Sequence, residues 1–577
     1  MTASRLGLRL IAALSAVLGP AGMSAAASRP NVLLVITDDQ GYGDLGCHGN
    51  PVLKTPKIDA FAKQATQLTN FYVSPVCSPT RSSLLTGRYN YRTGVVDTFV
   101  GRSMMHPDEV TLAEMLRDAG YRTGLFGKWH LGDNYPMRPQ DQGFQEVLMH
   151  RGGGIAQPSD PPGGSSYTDP VLFHNGKQKA FKDYCTDVFT NAALDFIATK
   201  SDKPFFAYVA YNCPHAPYQV QDQDWQPYKG IDLGPDAFPK VGSPWAEKKL
   251  NQEEIGKACG MIANIDANFG RLLARVPDDT IAIFMTDNGP GGVRWNAGLR
   301  NRKGTVYEGG IRVPCYVRWM GQVGEGKTID TPAAHIDLAP TILGLVNVRP
   351  PAGMKMDGRN LVPLLLGQMT DRPDRTLFFQ WHRGDVPELG RAFAVRGPRY
   401  KLVQAAGVAP GKYTPKEELF DLASDRFEEK DVAGDHPEIV RDLRAKYETW
   451  FADVKSTRNF GGPRIHIGSD REPLTVLTRQ DWRGPKAGWT PTSEGHWDVF
   501  AELPGKYRVT LEFDAAAEAR QAFVDAGKSK DKVAVPAGQS RAVIEVPMFK
   551  GDATLEAWVE GKARMGVKYV AVERISD

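Results

Sequence analysis

The run Asn31–Thr37, NVLLVIT, passes without interruption into Asp38-Asp39. Seven residues with no polar alternation do not make a strand with one wet face; they make one buried on both faces, as in a largely parallel sheet covered by helices. Its carboxyl end then delivers two carboxylates into a loop. Working outward, the pattern recurs three times: Tyr121–Gly127 (YRTGLFG) leads to Lys128 and His130, Pro204–Tyr211 (PFFAYVAY) to Pro214-His215, and Thr280–Thr286 (TIAIFMT) to Asp287-Asn288-Gly289. Ligands of open α/β sheets gather outside the carboxyl ends of the strands, so four segments are predicted to bring charge to one rim.

The texture changes near Arg372. Phe393–Val403 (FAVRGPRYKLV) reads as a hairpin, Glu418–Leu422 (ELFDL) as a strand and Pro437–Val454 as a helix, which together predict a small α+β subdomain. Beyond Gly461, Tyr507, Val509, Leu511 and Phe513 alternate with Arg508, Thr510 and Glu512, and similar patterns fall at Ala542–Pro547, Leu555–Val559 and Val567–Val572. This predicts a small antiparallel β-sandwich. Its tryptophans, Trp482, Trp489, Trp497 and Trp558, fit a core better than a sugar-stacking face.

At the amino terminus, Arg5 and Arg9 precede the apolar run Leu10–Leu18 and the small residues Ser24-Ala25-Ala26-Ala27, the pattern of a secretory signal peptide. A membrane anchor needs about 20 apolar residues, and Gly19-Pro20 interrupts this run. The expectation is an exported protein, periplasmic or secreted, with no membrane attachment after cleavage. The formal charge of +3 includes Arg5 and Arg9, so the remainder is nearly neutral and gives no basis for nucleic-acid binding. The six cysteines show neither CxxC nor zinc-ligand spacing, against a thiolate metal site.

Asp38-Asp39 and Asp287-Asn288 come from distant strands and supply only oxygen, the donor set of a hard cation such as Ca²⁺ or Mg²⁺. Taken singly, TDD and TDNG also suit turns and helix caps. A further segment, Cys77–Arg88 (CSPTRSSLLTGR), has Pro79 suited to a first helical turn and Gly87 to its end. Cys77 then sits at a helix amino terminus, where backbone N–H groups favour an anion. A buried structural cysteine and an activated thiol nucleophile are the other readings of this residue alone.

CSPTR resembles the Cys-X-Pro-X-Arg signature of the type I sulfatases, and SLLTGR resembles its extension. The resemblance spans roughly Arg29–Val454 and includes RPNVLLVITDDQGYGDLGCHG, GKWHLG (Gly127–Gly132), CPHAPY (Cys213–Tyr218), TDNG (Thr286–Gly289) and RKGTVYEGGIRVP (Arg302–Pro314) in the family's order. It implies an alkaline-phosphatase-like α/β fold: a mixed sheet sandwiched by helices (28–370), a smaller C-terminal α+β subdomain (371–458) and here an appended β-sandwich (459–577), after a signal peptide (1–27). It also implies that Cys77 is oxidised to formylglycine by a formylglycine-generating or sulfatase-maturating enzyme. Asp38, Asp39, Asp287, Asn288 and the modified Cys77 would bind one divalent cation, usually Ca²⁺ in the family, with Mg²⁺ the other candidate. Lys128 and Lys303 would clamp sulfate, Arg81 would hold the formylglycine and its helix, His130 would act as base, and His215 as general acid, shared with Lys303.

The implied substrate is a sulfated glycan or oligosaccharide, with aryl sulfates also turned over. Substrate-pocket candidates are His150-Arg151, Trp295 and Trp381-His382-Arg383. The alternatives are a phosphatase or phosphodiesterase of the same superfamily, which would use Ser or Thr and two zinc ions, and a catalytically dead glycan-binding protein, which would lack part of the site.

Overall fold

The structure, a computed structural model, describes residues 29–245, 250–324, 326–370 and 374–576; the segment 1–27 read as a signal peptide lies outside them. Among the described residues no helix is long and apolar enough to cross a membrane.

A ten-stranded mixed sheet forms the centre. Its order is Thr328–Ile329, Thr66–Leu68, Cys315–Arg318, Ile281–Thr286, Val32–Thr37, Phe205–Ala210, Arg122–Lys128, Glu146–His150, Val171–His174, Lys177–Ala180. The five strands from Ile281–Thr286 to Glu146–His150 run parallel. Val32–Thr37 sits in their midst with every residue buried, which is why its sequence does not alternate. Val32, Leu34 and Ile36 face one core with Leu84, Leu112 and Ile342; Leu33 and Val35 face the other with Phe61, Phe189 and Phe269. Two helical layers therefore cover the sheet, and truncating Leu34 to Ala would cost about 2–5 kcal/mol. All four predicted charge-bearing strands end on the same rim.

Two details aim the rim residues. Gly127 has φ +125°, and a Cβ there would lie 1.9 Å from the Ala210 carbonyl oxygen, so only glycine lets this strand turn Lys128 inward. The helix carrying the CSPTR run spans Cys77–Thr86 and ends at Gly87 in the left-handed region, so Cys77 is its first residue.

A four-stranded antiparallel sheet, Leu377–Gln380, Phe393–Arg396, Tyr400–Gln404 and Glu418–Asp421, packs on the helix Pro437–Arg458 through Leu402, Tyr447 and Phe451. The last part of the chain folds as two facing sheets around Trp482, Trp497, Tyr507, Val509 and Leu511. Ile465–Ile467 joins one of them in parallel, the rest pairing antiparallel. Trp558 is buried and stacked on Phe523, while Trp489 is about one-third exposed with its edge toward Phe99. Met104 and Met137 of the first part complete the sandwich core, so the two parts share one apolar interior. All six cysteines are free thiols.

Candidate active site

The rim brings together residues from six places in the chain. Cys77 Sγ and carboxylate oxygens of Asp38 and Asp287 all lie within 4.8 Å of one another. Asp38, Asp287, Asn288, Arg81 and Lys128 are completely buried, and fully buried charges are tolerated only when paired. Lys128 Nζ donates to Asp38 Oδ2 at 2.6 Å, and Lys303 Nζ lies 2.5 Å from Asp39 Oδ1. Arg81 donates through Nε and Nη2 to Asp287 Oδ2 (3.2 and 2.8 Å) and through Nη1 to the Lys128 carbonyl (3.0 Å). Arg81 thus grips Asp287 and the end of the Lys128 strand, rather than the side chain of Cys77. Three acidic side chains stand against Arg81, Lys128 and Lys303.

The oxygens left over identify what else the site can take. Asn288 Nδ2 donates to Asp39 Oδ1 (2.8 Å) and the Gly289 carbonyl (2.9 Å), which turns its Oδ1 away from both. That Oδ1 and Asp38 Oδ1 are buried acceptors without a donor. Buried acceptors of this kind, supplied by carboxylates and an amide with no nitrogen among them, fit a hard divalent cation.

Asp39 adopts φ +64°, an uncommon conformation for a residue with a side chain. Its N–H donates to Asp287 Oδ1 (3.1 Å), and its carbonyl accepts from Arg294 Nη2 (2.5 Å). Arg294 is itself held by Asp44 at 2.9 and 2.8 Å. Sequence reading missed this brace, although Asp44 belongs to the same RPNVLLVITDDQGYGD run. Gly291 is equally constrained, because a Cβ there would meet Asp39 Oδ2 at 2.3 Å.

His130 faces the thiol. Its Nε2 lies 2.8 Å from the Thr98 carbonyl and its Nδ1 3.5 Å from Cys77 Sγ. A carbonyl only accepts, so Nε2 carries the proton and Nδ1 presents a lone pair to position 77. Burial, then Lys128, holds the ring well below its ordinary pKa, consistent with a neutral base. His215 Nδ1 donates to its neighbour's carbonyl, Ala216 O, at 2.6 Å, leaving Nε2 3.9 Å from Asp39 Oδ2. Burial lowers this ring too, against the pull of Asp39. Gly153 and Gly154 lie over the two rings: a Cβ would come 2.7 Å from His130 Cε1 and 3.0 Å from His215 Nδ1.

Burial raises the Cys77 thiol pKa even though Lys128 and Lys303 act to lower it. The unmodified side chain is therefore a poor thiolate nucleophile. For Asp38, burial works upward, but Lys128, His215, Arg81 and Lys303 outweigh it and hold the carboxyl well below the usual range.

The substrate-pocket candidates separate. Trp295 is buried and stacked on Phe238, with centroids 5.6 Å apart; it is core, not pocket wall, because it belongs to one buried apolar cluster with Tyr42, Phe238 and Ile262. His150 and His382 are buried, and Arg151 lies over the Phe173 ring. Trp381 is buried and donates to Asp97. Arg383 alone among them is more than one-third exposed, bonded to Asp97 and the Thr98 hydroxyl and stacked between Phe99 and Trp381.

Comparison with known proteins agrees with this geometry. A sequence profile described as Sulfatase matches residues 30–348, and one described as N-sulphoglucosamine sulphohydrolase, C-terminal, matches residues 300–452. Arylsulfatase A of Homo sapiens is 31% identical over 509 residues, covering 79% of this chain and 94% of that protein. N-acetylgalactosamine-6-sulfatase of Canis lupus familiaris is 32% identical over 423 residues, covering 67% and 74%. The solved structure of Ps i-CgsB in complex with k-i-k-neocarrahexaose superposes with a TM-score of 0.63 and 28% identity, covering 75% of this chain and 94% of that one.

Proposed function

The chain belongs to the sulfatase family of the alkaline phosphatase superfamily and hydrolyses sulfate esters, and from that premise we propose that it removes sulfate from a sulfated glycan or oligosaccharide after oxidation of Cys77 to formylglycine. The observation that carries this reading is Cys77 on the first turn of a buried helix, 3.5 Å from the bare Nδ1 of His130 and clustered with Asp38 and Asp287. A carbohydrate substrate is supported by one relative being named for N-acetylgalactosamine 6-sulfate chemistry and by another having been solved with k-i-k-neocarrahexaose. Aryl sulfates are proposed as accessory substrates from the likeness to arylsulfatase A.

Formylglycine, when hydrated, supplies two hydroxyls on one carbon, one to attack sulfur and one to let the sulfate leave. Asp38, Asp39, Asp287 and Asn288 would hold one Ca²⁺, Mg²⁺ sharing the same preference for oxygen, and the ion would favour a deprotonated nucleophile. Lys128 and Lys303 are fixed cations that hold sulfate oxygens, where charge placed in advance is worth most. His130 Nδ1 accepts the proton of a hydroxyl at position 77. His215 protonates the sugar oxygen through Nε2; an anionic ester beside its ring favours the charged form that burial disfavours, and Lys303 shares the task. Arg81 keeps Asp287 oriented and favours its ionised form against burial, which raises the carboxyl to about 7. We further propose a maturating enzyme as the chain's obligatory partner, and export directed by residues 1–27.

The test is sulfate release from a panel of defined sulfated mono- and oligosaccharides, using protein produced together with a maturating enzyme, with phosphate mono- and diesters as controls. At least one sulfated sugar should be turned over on the order of 100-fold faster than any phosphate ester. Phosphate turnover equal to or above sulfate turnover contradicts the proposal.

A further inference from the structure

The C-terminal β-sandwich carries a residue into the back of the active site. Gln480, only 1% exposed, donates through Nε2 to the Thr98 carbonyl at 2.9 Å and makes a second contact with Ser103 Oγ at 3.1 Å. The same Thr98 carbonyl accepts from His130 Nε2. The Gln480 main-chain carbonyl accepts from Gly101 N at 3.0 Å, so both ends of the turn around Phe99–Arg102 are tied to the sandwich. Thr98 is bound from a third side as well, its hydroxyl accepting from Arg383. All three parts of the chain converge on this residue.

A carbonyl oxygen has two lone pairs, and here one is taken by the ring and the other by Gln480. The Gln480 bond fixes where that oxygen points, and the oxygen fixes both the tautomer and the tilt of His130. A histidine whose outer nitrogen is held in this way presents a defined lone pair; released, the ring can exchange tautomers and rotate. Nothing else among the described hydrogen bonds holds His130 Nε2.

We propose that Gln480 is a positioning residue for His130, acting through the Thr98 carbonyl, and that the β-sandwich is by this contact an integral part of the catalytic site rather than a separable glycan-capturing appendage. The proposal rests on the assignment of His130 as the base.

The experiment compares the full chain with Gln480→Leu, Gln480→Glu, His130→Ala and the double variant His130→Ala/Gln480→Leu. Turnover of an aryl sulfate is expressed per mole of aldehyde at position 77, and folding is monitored by thermal unfolding. Gln480→Leu should lower kcat roughly 10-fold, and at most about 100-fold, the scale for loss of a supporting hydrogen bond behind a metal ligand, with KM changed less than about two-fold. Gln480→Glu should be similarly impaired at neutral pH and recover relative to the parent as pH falls, because a protonated carboxyl again donates to Thr98. In the His130→Ala background the Gln480→Leu loss should vanish, as residues acting in one chain are not additive. A Gln480→Leu enzyme with kcat within two-fold of the parent overturns the proposal, as does an equal loss with and without His130. If Gln480→Leu does not fold, the pH recovery of Gln480→Glu decides in its place. Full activity of His130→Ala refutes the base assignment itself, a failure separate from that of Gln480.

Discussion

Two buried charge clusters lie in this molecule, and they are built in opposite ways. In one, Lys401 Nζ sits 2.8 Å from both Glu308 Oε1 and Glu428 Oε1, Tyr72 donates to Glu308 Oε2 at 3.2 Å, and the Glu308 N–H donates to Glu428 Oε2 at 2.6 Å. Each carboxylate oxygen has a cation or donor of the protein within 3.2 Å, Glu428 Oε1 as an ion pair with Lys401 and not in hydrogen-bond geometry, and the cluster fastens the four-stranded sheet to the helix Glu308–Ile311. In the other, Asp38, Asp39, Asp287 and Asn288 face Lys128, Lys303 and Arg81, with Asp38 Oδ1 and Asn288 Oδ1 lacking donors. Both clusters are largely buried, Lys303 being about one-fifth exposed; they differ in which oxygens the protein engages. A closed network stabilises one conformation, whereas unspent acceptors converging beside a helix amino terminus mark a place where chemistry occurs.

The largest separation between the two clusters should appear in paired substitutions. Cys77→Ala is expected to lower sulfate release by at least about 10⁴-fold, the scale for losing a nucleophile, with the thermal midpoint little changed. Lys401→Met should do the reverse. Turnover per folded molecule should stay within about two-fold while stability falls by about 3–5 kcal/mol, the cost of leaving buried charges unpaired. Calorimetry alongside an aryl sulfate assay checks both, and a large kcat loss in Lys401→Met would break the distinction.

A smaller effect is expected from pH. Burial, opposed by Lys401, pushes Glu428 up to about 7 from an ordinary 4.5. The folded state then holds a proton that the unfolded state has released, so this contribution is complete below pH 4.5 and is lost as pH rises toward 7. Glu428→Gln should flatten that slope, worth up to about 3 kcal/mol across the window, and identical slopes in unfolding titrations would contradict it. Smallest is the response to calcium: about 2.7 kcal/mol of added stability at 100 times the dissociation constant. Asn288→Ala should require more calcium for the same gain, while Lys401→Met retains it, both read from midpoints at graded calcium.

The layered sheet was legible because strands buried on both faces lose alternation, and NVLLVIT, TIAIFMT and PFFAYVAY all do. The site was legible where a residue sits at a strand end or within the Cys77 segment, while Lys303, on a loop between Ile281–Thr286 and Glu308–Ile311, was reached only through the resemblance carried by Arg302–Pro314. Thr98, Arg294 and Gln480 were not legible. Their importance comes from a backbone carbonyl or a brace formed by residues hundreds of positions apart, and such contacts leave no local pattern. Trp295 misled for the complementary reason: a loop tryptophan reads alike whether its ring faces the pocket or the core.

The most direct test of the account is the mass of the peptide containing position 77, taken from protein produced with a maturating enzyme and set against sulfate release by the same preparations. An aldehyde in place of the Cys77 thiol is expected, with activity rising in proportion to its fraction. Undiminished sulfate release from protein carrying only the unmodified thiol would contradict it.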